Sequence, residues 1–332
     1  MYLFGAIMKA LLAIIVPPIF WADKNVGGQA VIEGVMMRSP ERISTSIRRE
    51  SGEIVTRTEP YISLVKRYKF LGRPILRGII SFFEMLAIGI KTLNYSAEMS
   101  AAGQKDDNIA SPVSRKMNLA LIVTIVISMA LAISIFFFLP LLFAQLLNIH
   151  KEAFGFNLVA GFIRMAMFVL YIKAISYIKD IKRIFAYHGA EHKSIFAFEA
   201  DLPLTVENAR KFTTLHPRCG TSFILIVALM AILTYAISDS VFAVVAGHQP
   251  ELLQRFALHF SLLPLVAGAS YELLKLSGKT RNNRLTRLLI APGLWLQKIT
   301  TREPDESQLE VGITSLIASI EGTALYTEKV RA

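Results

Sequence analysis

Charge and cysteine are what this chain lacks. Lys, Arg, Asp and Glu make up 18% of its 332 residues, against roughly 25% in a soluble domain. Hydrophobic residues reach 53%, and that imbalance points to a membrane protein rather than a soluble one. The single cysteine, Cys219, excludes an internal disulfide. It leaves a free thiol, a small buried residue or a metal ligand. No nucleic-acid-binding motif accompanies the formal charge of +11, so no nucleic-acid partner is expected. The surplus of Lys and Arg reads instead as a mark of cytoplasmic loops, with anionic lipid headgroups as a second partner for it.

The chain divides by composition into seven stretches. Residues 1–23 hold an apolar segment, Leu3 to Phe20, broken only by Lys9 and ending near Pro17-Pro18. It is marginal in length for a span and carries no clear small-residue cleavage site, so a span, a signal-like segment and an interfacial helix all stay open. Residues 24–74 are glycine-rich at first. Then Ile43 to Arg49 and Glu53 to Glu59 alternate around Ser51-Gly52, which predicts a β-hairpin. Ten Lys and Arg between Arg38 and Arg77 assign this region to the cytoplasm. Residues 75–116 predict an amphipathic helix followed by a linker. Arg77, Glu84, Lys91 and Glu98 share one face of that helix, which lies in the membrane interface or packs on the bundle.

Four apolar runs then supply a transmembrane pair in 117–178 and another in 222–275. They are Asn118 to Leu147, Phe156 to Ile178, Ser222 to Gly247 and Phe256 to Leu274, each long enough to span. The connections 148–155 and 248–255 carry one basic residue each, whereas 179–221 carries seven. The 179–221 stretch and both flanking regions are therefore expected in the cytoplasm, below a cell (inner or plasma) membrane. Residues 276–332 predict an interfacial segment around Trp295 and a last helix. Pro304, Asp305 and Glu306 start that helix, and it buries Leu309, Ile313, Leu316, Ile317 and Ile320. The expected fold is mainly α: a polytopic helical membrane protein with four core spans, a small β-hairpin region and interfacial helices.

The chemistry concentrates between Tyr187 and Thr221. That stretch holds three of the six histidines and the only cysteine. His188 and His192 are one helical turn apart, the spacing with which one helix offers two imidazoles to zinc. Glu191 completes His-x-x-Glu-His, an arrangement in which the histidines hold metal and the glutamate handles protons. His216 and Cys219, in His-Pro-Arg-Cys-Gly, add two donors suited to a borderline-soft ion. Four ligands would close a structural site. Three would leave a position for substrate, with Glu191 as general base. Lys193 and Arg218 could orient an anionic group. Tyr271 and Glu272, at the inner end of the fourth run, are candidates because an acid at membrane depth is costly, although Lys275 offers Glu272 a simple partner. Glu33, flanked by glycine at 34, is a candidate substrate or supporting residue. Asp239 is read as solvent-contacting near the outer end of the third run.

These segments resemble the YqhQ-like membrane proteins, a bacterial domain of unknown function (DUF1385 type) with plastid relatives. The resemblance rests on Gly27 to Arg38, Tyr187 to Lys193, His216 to Phe223, Pro292 to Gln297 and Thr300 to Pro304, in that order. It runs from about residue 25 to 320 and implies a multi-pass membrane protein, often labelled a predicted metal-dependent enzyme. The leading expectation is a membrane-embedded protein dependent on a divalent metal ion, zinc by its donors, with hydrolase-like chemistry at the cytoplasmic face. A non-catalytic scaffold or regulator that binds a protein partner is the alternative. A small transporter with Arg164, Lys173 and Glu272 along a path is the third reading.

Overall fold

Glycines at 27, 28 and 34 build strand rather than loop. In a computed structural model, β1 (Gly27–Val31) and β2 (Gly34–Arg38) precede β3 (Arg42–Arg48) and β4 (Ile54–Pro60) in one antiparallel sheet of order β1-β2-β3-β4. The predicted hairpin is β3–β4, and it is half of a larger sheet. The structure describes residues 26–101, 123, 126–128, 130–132, 134–146, 154–279 and 284–326. The apolar segment Leu3 to Phe20 lies outside the described residues, as does the linker expected at 101–116 apart from Ala101, which ends the helix Leu76–Ala101.

Ten helices follow among the described residues. They are α1 (Leu64–Arg67), α2 (Leu76–Ala101), α3 (Leu139–Leu146), α4 (Phe154–Ile175), α5 (Lys179–Glu199), α6 (Val206–Arg210), α7 (Gly220–Ala246), α8 (Leu252–Lys279), α9 (Arg284–Thr300) and α10 (Glu306–Ile320). The stretch expected as a loop between the second and third spans is thus largely α5 and α6. Four segments are long and apolar enough to cross a membrane: Val126–Ala144, Gly155–Ile175, Phe223–Ala246 and Leu252–Lys275. Between 6% and 28% of each is buried by protein, so most of their apolar surface needs another cover, which a bilayer supplies.

The chain forms two compact units. One comprises Met1–Gly103, Lys173–Val227 and Ala267–Ala332, and the other Gln104–Ile172 and Ala228–Val266. In the first, strand alternation assigns the two faces of the sheet. Ala30, Val35 and Met37 pack with Tyr187, Ala190 and Ile195 of α5 and with Leu309, Val311, Leu316 and Ile320 of α10. Each Val, Leu, Ile or Met side chain among them stabilises by about 1.5–3 kcal/mol when fully buried. Gly312 lets α10 approach Ala190 and Ser194 of α5, because an added Cβ would stand 2.8 Å from Ser194 Oγ.

The opposite face carries Gln29, Met36 and Ile43, and α2 covers it. A Cβ on Gly89 would stand 2.8 Å from the Gln29 side chain, and Lys91 pairs with Glu59. Small and polar residues of α2 (Gly89, Thr92 and Ser96) face the sheet, while Phe83, Leu86, Ile90 and Leu93 stay exposed. Three members of the seven-residue charge row, Arg77, Glu84 and Lys91, are engaged in pairing. Arg77 binds Glu272, and Glu84 caps Ser63 and the Leu64 N–H. Beyond the expected Lys275, Glu272 has a partner on another helix: Arg77 Nε reaches Glu272 Oε1 at 2.7 Å, because Gly78 and Gly268 bring α2 against α8.

The last helix starts at Pro304-Asp305 as expected. Asp305 accepts from the Gln308 N–H at 2.8 Å while the Gln308 side chain accepts from the Asp305 N–H at 3.0 Å. This reciprocal cap satisfies two end groups at once.

Candidate metal centre

Tyr187 to Phe198 is the most enclosed part of α5. Helical spacing brings His188 and His192 onto one face, with ring centroids 4.4 Å apart. Gly189, on the neighbouring face, is required by what crosses it. A Cβ there would stand 2.1 Å from the Arg302 carbonyl oxygen and 3.2 Å from Pro304 Cδ. The Thr300–Pro304 segment consequently lies directly on the helix beside His188.

That crossing sets the chemistry of the imidazoles. His188 Nδ1 is 2.9 Å from the Thr300 carbonyl oxygen, and His192 Nδ1 bonds to the Thr214 carbonyl oxygen. A carbonyl only accepts, so both Nδ1 atoms carry the proton and both Nε2 atoms present a lone pair. Metal-binding histidines are held in this way, with one nitrogen tied to an outer acceptor and the other free for the ion.

His188 Nε2 faces Cys219 Sγ at 3.1 Å. His192 Nε2 is buried without a hydrogen-bond partner. Donor atoms of His188, His192 and Cys219 all lie within 4.8 Å of one another. Donors on one tetrahedral zinc are about 3–4 Å apart, so this buried His-His-Cys cluster could bind a metal ion. Burial pushes the His192 pKa down, with Cys219 opposing, which favours the neutral, ligating form. His188 retains some exposure, so the cluster is not wholly sealed.

Glu191 is buried beside these donors. Its carboxyl lies against Gly28 of β1, where a Cβ would stand 2.8 Å from Glu191 Cγ. Burial raises its pKa to about 8, while His188 and the Gly28 N–H act in the opposite direction.

His216 stands beside the cluster rather than within it. Its ring is 5.5 Å from that of His192 and 4.6 Å from Phe196. Its Nε2 is 3.6 Å from Glu199 Oε2, and Arg218 pairs with the other Glu199 oxygen. Lys193, buried, bonds to Glu303 and to the Arg210 carbonyl oxygen at 3.2 Å. Glu33 occupies the β1–β2 turn at φ 51°. Arg183 Nε donates to it at 2.6 Å and Tyr187 Oη at 3.3 Å, so it fastens the sheet to α5. The charged partner of Glu272 is Arg77, with the Ile75 N–H a further donor at 3.3 Å, and Tyr271 packs at Gly78.

Sequence reading missed Glu199 and Gln297. Gln297 accepts from the His216 N–H at 2.7 Å and donates to its carbonyl at 2.8 Å, pinning the turn that carries Cys219. A lone acid after Ile195-Phe196-Ala197-Phe198, and a lone amide after Leu294-Trp295-Leu296, were the available signals. It also misplaced Asp239. Rather than contacting solvent, Asp239 is fully buried with Arg255 and His259 in the second unit. Helix rotation turned it inward.

The chain combines four candidate membrane helices with a buried His-His-Cys cluster. It belongs to the family described as "Protein of unknown function (DUF1385)", whose model matches residues 73–321. A Bacillus subtilis (strain 168) protein described as "Uncharacterized protein YqhQ" is 35% identical over 314 residues, covering 90% of this chain and 92% of the relative. No solved structure matches the chain.

Proposed function

We propose that this chain is a multi-pass protein of the cell membrane that holds a divalent metal ion, zinc by its donor set, for hydrolase-like chemistry at the cytoplasmic face. His188, His192 and Cys219 are the ligands in this reading. The observation that carries it is the pair of imidazoles fixed by backbone carbonyls with both Nε2 lone pairs available to the cluster that Cys219 completes. Three protein ligands with one open position is the arrangement of catalytic rather than closed zinc sites. Bound there, zinc would supply Lewis acidity to a substrate oxygen. Glu191 acts as the base that accepts the proton of the attacking water. Lys193 and Arg218 keep the frame around the ligands through Glu303 and Glu199. The sidedness rests on loop charge: seven Lys and Arg in 179–221 against one in each of 148–155 and 248–255.

Elemental analysis of the purified full-length chain tests the reading. Stoichiometric zinc is expected in the wild type, with loss in His188→Ala and His192→Ala. A wild-type protein without stoichiometric divalent metal overturns it.

A second reading is a scaffold whose metal only fastens the fold. It is favoured by one observation: the cluster and its carbonyl partners draw α5, the 214–219 segment and the end of α9 together. Glu191 separates the two readings, because only the catalytic one uses it chemically.

A further inference from the structure

The second unit has a polar interior inside apolar helices. Asp239 of α7 uses both carboxylate oxygens: Oδ1 is 2.9 Å from His259 Nε2 and Oδ2 is 3.0 Å from Arg255 Nε. Tyr235 stacks on His259 with centroids 4.1 Å apart and an interplanar angle of 7°. These groups fall within candidate spans, where ionisable residues face partners or a pathway.

Arg164 of α4 completes the interior, and among the described residues no acid pairs with it. It lies midway along the span Gly155–Ile175. Its Nε donates to the Phe136 carbonyl oxygen at 2.8 Å, and its guanidinium lies 5.5 Å from the centre of the Phe137 ring. The carbonyl is free for a covalent reason. Pro140 has no N–H to return to the carbonyl four residues before it, and the chain widens into a π turn over Ser134–Phe138. Phe137 also packs edge-on to His259, with centroids 6.3 Å apart. Phe137 thereby links Arg164 to the Tyr235–His259 stack.

The charge count decides what this interior needs. Among the described residues of the unit, Asp239 and Glu251 are the only acids. Glu251 is exposed, and Asp239 is already committed to Arg255 and His259. Asp239 is matched by Arg255, and among the described residues of the unit no other acid is left for Arg164. An unpaired charge at membrane depth is costly. The carbonyl and the ring moderate this cost without neutralising it. His259 Nδ1, 93% of whose residue surface is buried, has no hydrogen-bond partner, so the same interior has a second open polar atom.

We propose that the second unit binds an oxyanion, a carboxylate or phosphate group, at Arg164 beside Tyr235. A guanidinium fork fits such a group bidentately. Midway along a span the site lies about 15 Å from either headgroup layer, so the group comes from solution rather than from a lipid headgroup. This site is separate from the His-His-Cys cluster and does not depend on it.

The test uses the full-length chain in an uncharged detergent, with inorganic phosphate or acetate titrated against chloride at constant ionic strength. The expected result is a saturable rise in Tm of at least about 2 °C. That rise should vanish in Arg164→Gln, which should itself melt higher than wild type when no oxyanion is present. Tyr235→Phe, a milder change, should weaken the response. The same titration in phosphatidylcholine bilayer discs should give the same Arg164-dependent rise. A wild type with no saturable response to oxyanion overturns the proposal. So does a response that Arg164→Gln retains.

Discussion

His188 Nε2 and Cys219 Sγ meet at 3.1 Å although 31 residues separate them in the chain. Nothing local brings them together. The imidazole is aimed by the Thr300 carbonyl oxygen, and the thiol by the turn before α7. Cobalt reports on such a pair directly. The cobalt-loaded wild type should show thiolate-to-cobalt charge-transfer absorption in the near ultraviolet. Cys219→Ser should lose that band and bind the metal more weakly, since an alcohol is a poorer donor to a borderline-soft ion. A loaded wild type without the band excludes Cys219 as a ligand.

Gly189→Ala sets two effects against each other. Alanine favours a helix interior by about 1 kcal/mol over glycine. Here, however, the new Cβ would stand 2.1 Å from the Arg302 carbonyl oxygen, and a backbone segment has to move. Overpacking of this kind costs about 1–3 kcal/mol, and it also displaces the carbonyl that holds His188. The variant should melt lower than wild type and hold less metal. A raised Tm would show that the crossing is looser than described.

Gln297→Leu keeps size and removes both hydrogen bonds to His216. The His216 N–H, bonded at 2.7 Å in a buried turn, would lose this partner at about 1–3 kcal/mol, while the His216 carbonyl would keep the Cys219 N–H. Lower thermal stability is expected. So is a 10- to 100-fold weaker metal affinity by competition with a chelator, about the size of effect that supporting residues have on a site. Unchanged metal affinity would show that the His216 turn does not position Cys219.

How much of this was legible in the sequence follows from the range of each interaction. The four-residue spacing of His188 and His192 is a local fact about helices, and it pointed to the cluster. The β3–β4 hairpin and the Asp305 helix start are equally local. Whether Cys219 or His216 joins the histidines was not legible, because it depends on Gln297 arriving from 81 residues away. Glu33 looked like a site residue because glycine flanks it. Its partners, Arg183 and Tyr187, are about 150 residues distant in the chain. Asp239 looked exposed because position along a helix is readable from a sequence whereas rotation is not.

Glu191→Gln is the variant that separates catalysis from architecture. The amide nearly matches the carboxyl in shape, and it can still accept from the Gly28 N–H that acts on the native side chain. It cannot accept a proton from water as a base does. Glu191 is not among the three donors of the cluster, so the metal content of the variant should equal that of wild type. In cells without a chromosomal copy, a catalytic centre predicts that Glu191→Gln fails to restore the lost phenotype despite normal membrane levels and metal content. His192→Ala should fail with metal lost. A scaffold predicts that Glu191→Gln restores the phenotype and His192→Ala does not. Full rescue by Glu191→Gln would remove the general base from the proposed chemistry and leave the cluster as a fastening between α5, the 214–219 segment and α9.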